Sequence, residues 1–362
     1  MENNLRVLHI DIAKGISIFL VALYHSKLSS YFPEATHAMS LFRMPLFFLL
    51  SGVFFSWSVS NRTFFMKKSE ALLKPYFFIL LSIFSLYVLF PNLGSNRFEP
   101  VYGLSEFQGI LYGNVNTIRW LPLWFLTHLF AVYTLCFIIF KYFNFNKLPT
   151  TIKALCIFSF LAAGAFYNQD YSADIKLSFL GNEALPFTFN VILITSAFFI
   201  SGRVLRTYLL KFNPSIFAML ITLSLFLIIA LFTPAYVRLS VGVYESPILS
   251  TVGAFCGIYL VLSLSWLLNK SCYLSYIPLI MGRGSLFILI FHGVIAHRLE
   301  RVGSKIFPGE ESILAIIFTL FSFITCILIP LIIRKVVLRS SILSLVFFPI
   351  GDNKLFKKLF KK

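Results

Sequence analysis

Ten apolar runs, most near the ~20 residues needed to cross a bilayer core, recur along the chain at 7–25, 41–58, 75–90, 121–140, 152–167, 184–202, 215–232, 248–268, 282–297 and 312–333. In lipid every backbone polar group must be bonded within the protein, which leaves helices and closed barrels as spanning structures. Barrel strands are shorter and alternate apolar with polar residues, which these runs do not. The expected fold is therefore an all-α polytopic membrane protein of about ten transmembrane helices. Composition excludes the soluble alternative, because 58% of the 362 residues are hydrophobic and 44 are phenylalanine, more apolar surface than a soluble domain buries. A further apolar segment, 336–350, is short and broken by Arg339 and Pro349, and reads as interfacial.

The formal net charge of +17 raises the question of nucleic acid, and the position of the charges answers it. With the N-terminus placed inside, basic residues collect at 62–74, 141–153, 203–211 and 334–339 and in the five tail lysines, joined by Arg6, Lys14, Lys270 and Arg283. Only Glu2, Asp11, Glu70 and Asp352 are acidic on that side. This is the positive-inside pattern of a chain with both termini cytoplasmic. The tail from Lys354 to Lys362 suits an anionic lipid surface rather than nucleic acid. The first apolar run carries Asp11 and Lys14 without a small-residue cleavage site, so it is expected to remain as a helix rather than leave as a signal peptide. Cys136, Cys156, Cys256, Cys272 and Cys326 show no metal or redox spacing. Residues 1–335 read as one transmembrane domain, and 336–362 as the interfacial segment with the basic tail. The loop 91–119 could cover a site facing outward or equally be plain connection.

Charge inside a membrane span is expensive and points to function, and the first run holds both Lys14 and His25. They are eleven positions apart, which at roughly 100° per residue returns within about 20° on the helical wheel. At ~1.5 Å rise per residue they stand about 16 Å apart along the axis. Asp11 lies one turn before Lys14 on the same stripe, so one face of this helix is polar from end to end, while His9 falls almost opposite His25.

Ile10-Asp11-Ile12-Ala13-Lys14-Gly15 with Tyr24-His25 is the first of four short blocks that resemble the bacterial membrane-bound acyltransferase-3 family. It is similar to the family's opening Leu-Asp-x-x-Arg-Gly, which a histidine follows eleven residues after the arginine. Arg43-Met44-Pro45-Leu46-Phe47-Phe48-Leu49-Leu50-Ser51-Gly52 resembles its Pro-x-Phe-Phe-x-x-Ser-Gly segment and the arginine often found before it. Leu123-Trp124-Phe125-Leu126 is similar to its Trp-Phe-Leu, and Gly282-Arg283-Gly284-Ser285 with His292 to its Gly-x-x-Ser and late histidine. The chain departs from the pattern at Lys14, which keeps the charge but not the bidentate fork of arginine, and at Leu289, where the family commonly has an aromatic residue.

The resemblance implies an O-acyltransferase of the bacterial inner membrane that moves an acyl group, usually acetyl, from cytoplasmic acyl-CoA to a hydroxyl of an envelope saccharide, which could be lipid-linked. Acetyl-CoA would be the donor substrate, with no permanently bound cofactor and no metal. On that reading His25 is the general base, Asp11 holds Lys14 in place, and Lys14 meets the CoA head group. Arg43, expected at the external mouth of the second span, stabilises oxyanion charge or grips an anionic acceptor. Ser285, His292 and Trp124 line the donor path. Plainer roles stand beside these: Lys14 can snorkel to the surface, Ser51 and Ser285 beside glycine allow close helix packing, and His128 and His292 can satisfy bonds between helices. His9 and His37 look incidental. A transporter or flippase of a glycan or small solute is the alternative function, since polar faces of bundled helices also build translocation paths.

Overall fold

Each apolar run falls on a helix of the structure, a computed structural model that describes residues 7–90, 104–168, 185–307 and 312–349. The first six residues, the basic tail and residues 91–103 of the long loop lie outside the described residues. The apolar helices are α1 (Leu8–Tyr24), α2 (Pro33–Val53), α4 (Lys74–Leu89), α6 (Trp124–Tyr142), α7 (Thr150–Asn168), α8 (Ile192–Val204), α10 (Ile216–Phe232), α11 (Pro247–Asn269), α13 (Ser285–Ile306) and α14 (Ile313–Arg339). Between them lie the shorter α3 (Asn61–Lys68), α5 (Leu104–Tyr112), α9 (Arg206–Leu210), α12 (Cys272–Arg283) and α15 (Ser341–Phe347).

Among the described residues six helical stretches are long and apolar enough to cross a membrane, and the bent pair α12–α13 would make a seventh. One of the six is the continuous stretch Asn61–Leu89, in which a π-helical turn at Ser69–Leu73 joins α3 to α4. α10 is as apolar but has 17 residues, and α1, also of 17 residues, is interrupted by Asp11 and Lys14. Apolar side chains on α10 and α14 remain exposed, as at Phe217, Phe232, Ile313 and Ile332, which marks these helices as facing lipid.

The structure corrects three boundaries. α2 starts at Pro33, not near residue 41, because Pro33 opens the helix at its first position, and the polar stretch that follows, too hydrophilic for a hydropathy window, is still helical. The segment between the runs ending at 268 and beginning at 282 is not a loop: Ser271 accepts from the Leu274 N–H and caps α12, whose axis turns by 79° at Gly284 into α13. The segment 336–350 is divided, since α14 continues through Arg339 before Ser340 caps α15.

Glycines set the two tightest crossings. A Cβ at Gly15 would strike the Pro278 carbonyl oxygen, and one at Gly282 the Asp11 carbonyl oxygen, so α1 and α12 touch backbone to backbone. Gly52 against the Phe199 carbonyl and Gly202 against the Leu49 carbonyl do the same for α2 and α8. Small residues that admit such approach replace the missing hydrophobic drive between helices in lipid. α10 and α11 are linked by a small antiparallel hairpin, β1 (Tyr236–Arg238) and β2 (Val243–Glu245), which pairs Tyr236 with Glu245 and Arg238 with Val243 and turns at Gly242 with φ 80°.

Candidate active site

α1 carries a polar group at each end. Near its start the Lys14 ammonium lies 3.8 Å from the Asp11 carboxylate, one turn away. It also sits 4.8 Å from the centroid of the Phe54 ring, which follows the last residue of α2. Both members of the ion pair are partly exposed, at 28% and 18% for Lys14 and Asp11. The expected pairing of Asp11 with Lys14 is thus present in the structure.

At the other end His25 caps α1 and is exposed, while its ring centroid lies 5.3 Å from that of His292 on α13. His292 is fully buried. Its Nδ1 stands 2.7 Å from the Ile288 carbonyl oxygen, and a carbonyl can only accept, so Nδ1 carries the proton and Nε2 keeps its lone pair. That Nε2 is buried without a hydrogen-bond partner among the described residues. The His25 ring also meets the Tyr24 ring edge to face at 5.1 Å.

Arg43 does not sit at the mouth of a span; it lies in the middle of α2, 5% exposed. The backbones of the two helices are tied there by Ser17 Oγ, which donates to the Arg43 carbonyl at 3.2 Å. Helical side chains lean toward the N-terminus of their helix, and α2 runs antiparallel to α1, so the Arg43 guanidinium is carried toward the His25 end. It rests 3.2 Å from the centroid of the Tyr24 ring. The Tyr24 and Tyr236 hydroxyls approach to 3.5 Å, and His37 stacks on Tyr236 with centroids 5.5 Å apart. Arg238, two residues beyond on the same face of β1, completes the group: His292, Arg43 and Arg238 are the ionisable neighbours that act on His25. In the hairpin, burial and then the bond to Tyr24 push the Tyr236 phenol above its ordinary pKa, which keeps it neutral.

Tyr236 and Arg238 carry no signal in the sequence, and His37 reads there as incidental. A three-residue strand between helices has no period that hydropathy detects, and nothing in Tyr-Val-Arg marks it as chemical. His37 lies in the polar first turns of α2, ahead of the apolar run that begins at 41.

The remaining candidates fall elsewhere. Trp124 packs at a tilt on His128, with centroids 5.6 Å apart, and meets Phe125 edge to face. It is Trp120, on the preceding loop, that reaches α13, where its Nε1 donates to the Ile290 carbonyl at 2.5 Å. His128 uses both ring nitrogens, 2.9 Å from the Phe187 carbonyl and 3.0 Å from the Thr195 hydroxyl, and so acts as a helix linker. His9 is likewise engaged, 2.9 Å from the Leu209 carbonyl. Ser285 opens α13 at the bend, two turns before His292, and Ser51 donates to the Phe47 carbonyl at 2.8 Å. All five cysteines are free, and the described residues hold no metal-binding group of His, Cys, Asp and Glu.

One arrangement thus offers an exposed imidazole, a buried imidazole with a free nitrogen and two guanidiniums at one end of α1, with a lysine at the other. Comparison with curated proteins and with solved structures returned no match. The model of the acyltransferase-3 family, described as an acyltransferase domain, matches residues 7–335, nearly the whole chain. The chain belongs to the acyltransferase-3 family, and its chemistry is acyl transfer carried out by a multi-pass membrane protein.

Proposed function

We propose that this protein is an O-acyltransferase of the bacterial inner membrane that moves an acetyl group from cytoplasmic acetyl-CoA to a hydroxyl of an envelope saccharide such as O-antigen, capsule or exopolysaccharide units. On this reading the helices cross ten times, both termini are cytoplasmic, and the Lys14 end of α1 faces the donor. The single observation that carries it is the division of α1: a cation partnered by Asp11 at one end, and His25 beside His292 about 16 Å away along the axis at the other.

Lys14 receives an anionic part of coenzyme A, and the pantetheine arm extends along α1 toward the paired histidines, past Ser285 and His292 on α13. His25 takes the proton of the acceptor hydroxyl as its oxygen attacks the thioester carbonyl. The C–O bond forms, the C–S bond breaks, and the proton passes from the imidazolium to the departing thiolate. A neutral imidazole is suited to this exchange near neutral pH. The transient negative charge on the carbonyl oxygen lies within the field of Arg43, whose guanidinium is fixed in advance by Tyr24.

Mass spectrometry of surface glycans from cells with and without the protein tests the reading. An acetyl-sized mass difference that disappears in the His25→Ala variant, with the variant still inserted in the membrane, is the expected result. Loss of the whole glycan, rather than its acetyl group, would instead point to transport.

A further inference from the structure

We infer that the acceptor carries a fixed oxyanion, the carboxylate of an acidic sugar or a phosphate ester, and that Arg43 and Arg238 hold it beside His25. The inference rests on the acyltransferase reading above and adds the class of acceptor.

Arg43 is the main observation. It is 5% exposed in the middle of a helix, yet its Nη1 has no hydrogen-bond partner. Among the described residues neither Arg43 nor Arg238 takes part in an ion pair, unlike Lys14 with Asp11 and Arg119 with Glu106. Glu245, across the hairpin from Tyr236, makes no ion pair with Arg238 either. A buried charge ordinarily comes paired, and the Tyr24 face beneath Arg43 satisfies the cation from one side only. That donor belongs to a guanidinium whose neighbours are Tyr24, Tyr236 and Arg238.

Charge around His25 leads to the same conclusion. A general base ends its step as an imidazolium, and here it would do so beside two guanidiniums, whose like charges oppose it. An anion bound between the arginines removes that opposition. Guanidinium forks match carboxylate and phosphate geometry, which an ammonium does not.

Position separates this role from oxyanion stabilisation. Arg238 is exposed on a strand outside the helices, where an incoming saccharide would arrive, whereas transition-state charge develops at the thioester carbonyl beside His25. A group that binds the acceptor equally in ground and transition states changes KM, and one that meets only developing charge changes kcat.

The test uses the full chain in lipid nanodiscs and three probes: a neutral disaccharide, the same disaccharide with one glucose oxidised to glucuronate, and a glycosyl 1-phosphate. Binding of each is measured by calorimetry on the wild type, Arg238→Gln and Arg238→Lys, with thermal unfolding as the control for folding. The expected result is that at least one anionic probe binds ten times or more tighter than the neutral one. Arg238→Gln should lose that preference and Arg238→Lys should recover part of it. Preference for glucuronate identifies an acidic sugar as the source, and preference for the 1-phosphate identifies a phosphate ester. Equal affinity for all three probes, or a preference unchanged in a folded Arg238→Gln protein, overturns the inference. Coenzyme A binding is measured in the same preparation: its presence without anion preference refutes the acceptor class alone, and its absence refutes the transferase reading.

Discussion

The two ends of α1 treat charge in opposite ways. At the Lys14 end the cation has its counterion one turn away on the same helix, partly exposed, and the pair is complete without help from the rest of the fold. At the His25 end α1, α2, α13 and β1 each contribute one group, Arg43 lies over the Tyr24 ring, and neither Arg43 nor Arg238 pairs with a carboxylate among the described residues. A site closed on itself can wait for a ligand and exchange one partner for another. A site with surplus positive charge is incomplete until something negative enters. The difference suits a helix that binds a donor at one end and performs chemistry at the other.

The strongest way to break the comparison is to break the crossing that holds both ends. Gly15→Ala would drive a methyl group into the Pro278 carbonyl, and separating two helices at a backbone contact costs about 3 kcal/mol, at the upper range of overpacking. Thermal unfolding in detergent should show the loss, and donor binding and transfer should decline together. If the variant keeps wild-type stability, α1 and α12 do not touch as described.

Next in size is a control that should leave both ends intact. His128→Ala strands the Phe187 carbonyl and leaves the Thr195 hydroxyl bonded only within its own helix, to the Val191 carbonyl, and is expected to lower stability by about 2 kcal/mol. Transfer per folded molecule should stay near the wild-type level; a large specific loss would move His128 into the site.

Arg43→Lys sharpens the reading of the His25 end. It retains charge but gives up the planar stack on Tyr24, worth about 1–2 kcal/mol when desolvated, and transfer should drop by roughly tenfold. An unaltered rate would mean that charge alone suffices there. The smallest effect is a gain: Lys14→Arg supplies a bidentate fork for phosphate and should tighten coenzyme A binding by a few-fold, equivalent to about 0.5–1 kcal/mol, without altering the rate at saturating donor.

The same contrast explains what was legible in sequence. Spacing alone placed Asp11 beside Lys14, because i,i+3 neighbours on a helix meet wherever the helix goes. Hydropathy likewise fixed α1, α10 and α11 to within a residue or so of their ends. It failed at the start of α2, where polar residues interrupt the apolar signal but not the helix, and at α12, a separate short helix that ends at the Gly284 bend. The approach of His25 to His292 spans most of the chain, and no periodicity carries such a contact; only the order of the family blocks brought both residues into view. Arg238 and Tyr236 belong to no block and lie on a short hairpin, so their place beside Arg43 emerges only from the fold. The glycines of two blocks proved structural, with Gly15 and Gly52 each accepting a neighbouring carbonyl.

The most direct test follows coenzyme A binding and labelled acetyl transfer to the native glycan in three purified proteins: wild type, Lys14→Ala and His25→Ala. The account predicts that Lys14→Ala weakens binding at least tenfold, whereas His25→Ala binds as the wild type does and transfers at least a hundredfold more slowly, the lower range for removal of a general base. A folded His25→Ala protein that still transfers acetyl at the wild-type rate, or a Lys14→Ala protein that binds coenzyme A unchanged, would contradict it.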